Sequence, residues 1–132
     1  MPRNMSFSMT TDQIRNQTKT VTRRLGWRFL KPGDILNACV KCQGLKKGEK
    51  VERICQIRVI SVERVEIREI NTVEVPLEGF PDMDRVDFIN MFCKMNNCNW
   101  HTWITRIEFE YLEEELPDAI ARRQIEEDTY QG

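Results

Sequence analysis

The stretch Val51–Ile70 reads VERICQIRVISVERVEIREI, and it is the longest run of strand-forming residues in the 132-residue chain. Isoleucine and valine dominate it, and β-branched residues favour the pleated backbone of a sheet. The apolar alternation changes phase near Val59 and Ile60, which predicts a β-bulge or a bend. Charged residues separate the later apolar ones, as is typical of a strand with one face in water.

Shorter elements flank this strand on both sides. Strand-like alternation or β-branched composition marks residues 5–9, 19–24, 35–41 and 102–112. A short helix is predicted after Thr10, with Gln13 at capping-box spacing, and an amphipathic helix is predicted from Asp84 to Asn96-Asn97. Helices and strands do not alternate regularly, so the order predicts an α+β fold, a small mostly antiparallel β-barrel with about two flanking helices.

Composition indicates one globular domain. Apolar residues make up 40% and charged residues 31% of the chain, enough for one core of ordinary size. No stretch approaches the ~18 apolar residues of a membrane span, and no apolar signal region follows Met1. We therefore expect a cytoplasmic protein with no membrane contact, free thiols at its five cysteines, and a domain at 1–112 followed by an acidic tail at 113–132.

The small net charge conceals an asymmetry along the chain. Residues 1–60 hold 13 Lys/Arg and 4 Asp/Glu, whereas residues 61–132 hold 7 and 17. A basic half is suited to phosphates or another anionic ligand. The alternative is that the two halves neutralise each other across a solvated surface.

The densest polar cluster is the segment 19–24. Strand periodicity divides it between two faces, with Lys19, Val21 and Arg23 on one and Thr20, Thr22 and Arg24 on the other. Hydroxyls beside cations are suited to binding a polar or anionic ligand. The segment could equally be a solvated edge strand whose charges discourage aggregation.

A second candidate is the loop at residues 77–81, which glycine and proline mark as irregular. Such a loop can aim the Glu78 carboxylate into a cleft, or leave it exposed to solvent. Trp27, Phe29 and Phe80 could stack on a base, or could pack in the core or at its rim.

Metal binding has only a weak signal. Cys39-x-x-Cys42 and Cys98-x-x-His101 have ligand-like spacing. However, Cys39 falls in a predicted strand, where positions three apart face opposite sides. No P-loop or dinucleotide fingerprint is present, so neither a metal nor a cofactor is predicted.

Four segments resemble the ASCH family, closest to its bacterial and prophage proteins. They are Gln17–Arg24, Leu30–Asp34, Leu77–Phe80 and Thr105–Tyr111. The match spans about residues 5–112 and implies a PUA-like β-barrel with a cleft suited to RNA or a nucleoside.

One small bacterial branch of that family is the N4-acetylcytidine amidohydrolase. The resemblance implies that its catalytic Lys, Thr and Glu fall on Lys19, Thr22 and Glu78, and Lys19-Thr20-Val21-Thr22 is similar to its Lys-Thr-Ile-Thr. The Gly-Arg that precedes the lysine there is Gln17-Thr18 here.

Two functions are therefore expected as alternatives. In the first, Lys19, Thr22 and Glu78 hydrolyse an acylated nucleoside-like amide, with Thr20, Arg23, Arg24 and Phe80 binding the ligand. In the second, the same cleft binds RNA or a modified nucleoside without catalysis. A contact with another protein is a third possibility. The catalytic alternative requires a bend between Lys19 and Thr22, because a straight strand would turn them apart.

Overall fold

A five-stranded mixed sheet forms the frame of the protein. The computed structural model describes residues 2–42 and 47–113. In chain order the elements are β1 (Arg3–Ser6), α1 (Thr11–Arg15), β2 (Val21–Arg24), β3 (Ile35–Cys39), β4 (Arg53–Glu66), a 3₁₀ turn (Ile67–Glu69), α2 (Glu74–Leu77), α3 (Arg85–Asn96) and β5 (Trp103–Tyr111). The strand order is β1-β3-β4-β5-β2.

The sheet is mostly antiparallel and curves into a half-barrel. Only the β1–β3 pairing is parallel, while β3–β4, β4–β5 and β5–β2 are antiparallel. The α+β class and the mostly antiparallel sheet predicted from the sequence are confirmed. The described residues hold three α-helices rather than about two, because Glu74–Leu77, directly before Glu78, form an additional helical turn. The predicted acidic tail lies outside the described residues except for Glu113, as does 43–46 in the connection before β4.

The predicted irregularity in the long strand is confirmed. The register of β4 against β5 shifts between Val59 and Ser61, so Ile60 has no partner in the ladder and is 43% exposed. A bulge of this kind increases the local twist of the sheet. Val59 also holds the turn at Gly33 and Asp34. Its carbonyl accepts from the Gly33 amide and its amide donates to the Asp34 carbonyl, each at 2.8 Å.

Two apolar clusters stabilise the domain. The first packs α1 against the inner face of the sheet and contains Met5, Phe7, Ile14, Leu30, Leu36, Ala38, Ile57, Val59, Ile107 and Phe109. The second packs α2 and α3 against the segment that follows β4 and against the start of β5. It contains Ile67, Ile70, Val75, Phe88, Ile89, Phe92 and Ile104. Phe7 from the first cluster and Phe88 and Phe92 from the second line one cavity, so the cleft lies where the two clusters meet.

Helix α3 begins and ends at the residues that the sequence predicts. The Asp84 carboxylate accepts a hydrogen bond from the Asp87 backbone amide at 2.8 Å, and Asn97 follows the last turn with φ of 50°. The predicted capping box of α1 is wrong, because Thr10 makes no side-chain cap. Gln13 instead donates from Nε2 to the Gly79 carbonyl at 2.9 Å, a contact 66 residues away.

No helix in the described part of the chain is long and apolar enough to cross a membrane.

Candidate functional site

A cleft of about 320 Å³ opens between β2, the start of α1 and helix α3. Lys19, Thr22 and Glu78 all line it, although Glu78 lies 59 residues after Lys19. Each of the three is at most 3% exposed. The basic segment near residue 20 and the acidic loop near residue 78 therefore meet in one pocket.

The loop that carries Glu78 is held by hydrogen bonds from the Thr20 backbone and from the Gln13 side chain. Helix α2 ends at Leu77, whose carbonyl accepts a hydrogen bond from the Thr20 backbone amide at 2.9 Å. Gly79 follows with φ of +105°, a conformation that only glycine adopts without strain. The side-chain amide of Gln13 donates a hydrogen bond to the Gly79 carbonyl. These contacts leave the Glu78 side chain pointing back into the cleft.

Gly79→Ala is expected to destabilise the protein by about 1–3 kcal/mol. A Cβ at Gly79 would lie 3.2 Å from Thr10 Cγ2 and 3.3 Å from Gln13 Cγ, in addition to the strained φ. Chemical denaturation measures the loss. Gly48→Ala is the control, because Gly48 has φ of +88° but no atom within 4 Å of the added carbon. Equal losses of unfolding free energy in the two variants would mean that the contacts of the new Cβ with Thr10 and Gln13 do not contribute to the destabilisation.

Glu78 is the centre of a buried ion pair. Its Oε1 lies 3.3 Å from Lys19 Nζ, and its Oε2 accepts a hydrogen bond from Arg23 Nη1 at 2.9 Å. Lys19 Nζ also donates to the Glu78 backbone carbonyl. Both carboxylate oxygens of Glu78 therefore accept hydrogen bonds from cationic side chains.

The network extends to a second carboxylate, Glu74. Arg23 Nη2 donates to Glu74 Oε2, and Arg106 Nε donates to Glu74 Oε1 at 2.8 Å. Burial opposes ionisation of Glu74, but the two arginines outweigh it and lower the pKa of this carboxyl. Three cations therefore meet two carboxylates beside the cleft. Arg23 Nε is the one buried side-chain donor without an acceptor among the described residues.

Lys19 lies two residues before the start of β2, so strand alternation does not fix the direction of its side chain, and both Lys19 and Thr22 line the cleft. Its carbonyl accepts a hydrogen bond from the Tyr111 hydroxyl at 2.5 Å, so β5 fixes the backbone at this point. Burial lowers the pKa of the Lys19 amine, and the charges of Arg24 and Arg23 lower it further, while Glu78 opposes them. The amine can therefore lose its proton more easily than an ordinary lysine.

Thr22 and Arg24 share a face of β2, as the strand periodicity predicts. Arg24 Nε donates to Thr22 Oγ1 at 3.0 Å, and Arg24 Nη2 donates to the Ser6 carbonyl at 2.6 Å. The guanidinium lies over the Phe7 ring, 4.7 Å from its centroid. This side chain joins the two edges of the sheet, β2 and β1, across the floor of the cleft. The Thr22 hydroxyl accepts one hydrogen bond and keeps its own proton to donate.

Apolar side chains form the opposite wall. Phe80 packs against Phe88 with ring centroids 5.6 Å apart, and both line the cleft. Helix α3 adds Met91, Phe92 and Met95, of which Met95 is 57% exposed at the rim. A cleft with a polar floor and an apolar wall fits a flat ligand that carries a polar group at one edge.

Most of the site residues predicted from the sequence meet in this cleft, and Thr20 does not. Lys19, Thr22, Glu78, Arg23, Arg24 and Phe80 line it. Thr20 makes backbone contacts to neighbouring elements: its carbonyl accepts from the Phe109 amide at 3.0 Å, and its amide donates to the Leu77 carbonyl at 2.9 Å.

Gln13 and Glu74 carry no local sequence signal for a role in the site. Gln13 has the spacing of a capping residue, and Glu74 resembles any acidic residue at a helix start, yet each makes its contact through the tertiary structure. Trp27 lines the cleft with φ of 53°, directly after Gly26 with φ of 74°. A bulky residue in this conformation costs of order 1–3 kcal/mol, and such strain concentrates at functional sites.

The cysteines are free thiols in this structure. No group of three or more His, Cys, Asp or Glu side chains that could hold a metal ion occurs among the residues described.

The fold and the cleft define a small α+β half-barrel with an open pocket whose floor carries buried cations. Solved structures of similar fold include two bacterial proteins. A protein of Enterococcus faecalis V583 assigned to DUF984 has a TM-score of 0.62 and 13% identity, over 88% of this chain and 86% of that one. An ASCH domain of Lactobacillus crispatus JV V101 has a TM-score of 0.54 and 15% identity, over 83% and 78%. The resemblance to ASCH proteins is thereby confirmed at the level of the fold.

No protein-family model matches the chain. No curated protein matches it either.

Proposed function

We propose that this protein is an amidohydrolase that removes the acyl group from an N4-acylated cytidine-like nucleoside. One observation carries the proposal. Lys19, Thr22 and Glu78, the positions that match the catalytic residues of the amidohydrolase branch, are buried side chains that line a single cleft. Burial and neighbouring cations lower the pKa of the lysine, as a general base of this kind requires.

The proposed reaction proceeds through an acyl-threonine. Neutral Lys19 takes the proton of the Thr22 hydroxyl, and Oγ1 attacks the carbonyl carbon of the amide. The C–N bond breaks, and the lysine ammonium returns the proton to the leaving exocyclic amine of the base. Water then hydrolyses the threonine ester, releasing the carboxylic acid and regenerating the hydroxyl.

The surrounding charges support these roles. Arg24 Nε already donates to Thr22 Oγ1, so it would stabilise negative charge that develops on this oxygen. Glu78 accepts from Lys19 and Arg23, which favours a role in holding the lysine over a role as proton donor. The apolar wall of Phe80 and α3 would contact the base or the acyl group.

The positions of three cations from the basic half, residues 1–60, favour a small ligand over an extended RNA. Lys19 and Arg23 are buried and paired with carboxylates, and Arg24 points into the floor of the cleft. Three cations of the basic half are thus withdrawn from the outer surface on which a nucleic-acid backbone would lie. Non-catalytic binding of RNA or a modified nucleoside stays the alternative prediction.

The direct test is incubation of the purified protein with N4-acetylcytidine, followed by chromatography for cytidine and acetate. We expect stoichiometric release of the two products with multiple turnovers. A panel of other N4-acyl groups should define how large an acyl chain the cleft accepts. Absence of turnover with every acylamino nucleoside, together with tight binding of the intact compounds, would favour the non-catalytic alternative.

The rate is expected to rise with pH. The base is the neutral amine of Lys19, so activity is low while the amine is protonated and rises as it loses its proton. Because burial lowers the pKa of Lys19, the midpoint of this rise should lie below 10.5, the ordinary lysine value. A pH profile of kcat/KM measures it.

Lys19→Arg tests the assignment of that base, since a guanidinium does not deprotonate in the accessible pH range. Activity should be lost at every pH, while Lys31→Arg, at an exposed turn position, should keep the wild-type profile. A flat wild-type profile, or an active Lys19→Arg enzyme, would exclude Lys19 as the base.

A further inference from the structure

A second cavity of about 410 Å³ adjoins the cleft on the side of β1. Its described lining residues are Asn4, Ser6, Ser8, Arg24, Trp27, Lys41 and Cys42. Four of them, Ser6, Ser8, Arg24 and Trp27, also line the first cavity. The two spaces are therefore neighbouring chambers of one cleft, with Arg24 and Trp27 at the boundary.

The charge of the second chamber differs from that of the first. Arg24 and Lys41 supply two cations, and no described residue that lines this chamber carries a carboxylate. In the first chamber, by contrast, Glu78 neutralises part of the positive charge. Asn4, Ser6 and Ser8 add uncharged polar groups. An anion with several acceptor oxygens is the ligand that complements such a set.

One nitrogen of the Arg24 guanidinium, Nη1, is available to donate to a ligand. Its Nε is used by Thr22 and its Nη2 by the Ser6 carbonyl, whereas Nη1 has no acceptor among the described residues. Burial lowers the pKa of this guanidinium only to about 10, so it stays protonated at neutral pH. Lys41 likewise makes no ion pair with any residue in 2–42 or 47–113.

We propose that the second chamber binds the phosphate group of a nucleotide, so that the preferred ligand is a nucleoside monophosphate rather than a free nucleoside. Arg24 and Lys41 hold the phosphate oxygens, and Trp27 lies against the ribose at the boundary. The base, with its acyl group, enters the first chamber. This inference rests on the proposed function for the identity of the base, but the phosphate contact depends only on the second chamber.

The test compares the affinities of four probes by isothermal titration calorimetry: cytidine, cytidine 5′-monophosphate, ribose 5-phosphate and a 5′-phosphorylated trinucleotide. The monophosphate should bind about 10- to 100-fold more tightly than cytidine at low ionic strength, the range expected of hydrogen bonds to a charged group. This advantage should shrink as salt is added. The trinucleotide shows whether the phosphate can also belong to the end of an RNA strand.

Lys41→Gln should remove most of the monophosphate's advantage over cytidine, and Lys41→Arg should restore it. Lys31→Gln, a charge-matched change at an exposed lysine outside both chambers, should keep the wild-type ratio. Equal affinity for cytidine and its monophosphate would overturn the proposal. So would a phosphate advantage that survives Lys41→Gln.

Failure of this inference is distinguishable from failure of the proposed function. Hydrolysis of N4-acetylcytidine without any gain from a phosphate would leave the function standing and exclude the phosphate chamber. Binding of ribose 5-phosphate that depends on Lys41, in a protein that hydrolyses no acylated nucleoside, would support the chamber and exclude the amidohydrolase.

Discussion

Thr22→Ala should reduce the rate of N4-acetylcytidine hydrolysis by about 10³-fold or more, because it removes the proposed nucleophile. The side chain is 2% exposed on the floor of the cleft, and its hydroxyl is fixed by Arg24 Nε at 3.0 Å. Steady-state kinetics measures the loss in kcat.

Two further variants separate loss of the nucleophile from loss of structure. Thr22→Ser keeps a hydroxyl at the same position and should retain measurable turnover. Thr102→Ala removes a hydroxyl that accepts a 3.1 Å hydrogen bond from the Asn99 amide far from the cleft, and it should hydrolyse the substrate at the wild-type rate. Circular dichroism and thermal unfolding check that Thr22→Ala is folded. A folded Thr22→Ala protein within tenfold of the wild-type rate would remove Thr22 from the mechanism.

Glu78→Ala should lower the free energy of unfolding by about 3–5 kcal/mol, because it leaves buried Lys19 without a carboxylate and removes one of the two carboxylates that pair with Arg23. Lys19 and Arg23 are 3% and 5% exposed, and Glu78 accepts from both. Urea denaturation followed by circular dichroism gives the difference in unfolding free energy.

The chain offers a matched control for this experiment. Glu110 accepts from Arg58 Nη1 at 2.9 Å, the same distance that separates Glu78 Oε2 from Arg23 Nη1, but both side chains of the Glu110 pair are 47% exposed. Glu110→Ala should cost no more than about 1 kcal/mol. Adding Lys19→Met to Glu78→Ala should recover part of the lost stability, since it removes one unpaired cation. Equal costs for Glu78→Ala and Glu110→Ala would show that burial does not strengthen the central ion pair.

Local sequence signals account for a large share of the fold. The alternation in Val51–Ile70 predicted both the long strand and the irregularity that the structure has between Val59 and Ser61. Asp84 and Asn97 marked the ends of α3, because capping depends on residues within one turn. The same periodicity placed Thr22 and Arg24 on one face of β2. These features are decided by neighbours in the chain.

The sequence alone therefore determined most of the elements, the α+β class and the polar segment at 19–24 with its two faces. Only the tertiary structure decided that Glu78 meets Lys19 across 59 residues, that Gln13 clamps Gly79 instead of capping α1, and that Arg24 borders a second chamber. Periodicity and capping reflect energies between residues a few positions apart. The pairing of distant side chains depends on how the sheet curves and on which buried charges must be neutralised, and no local pattern encodes either.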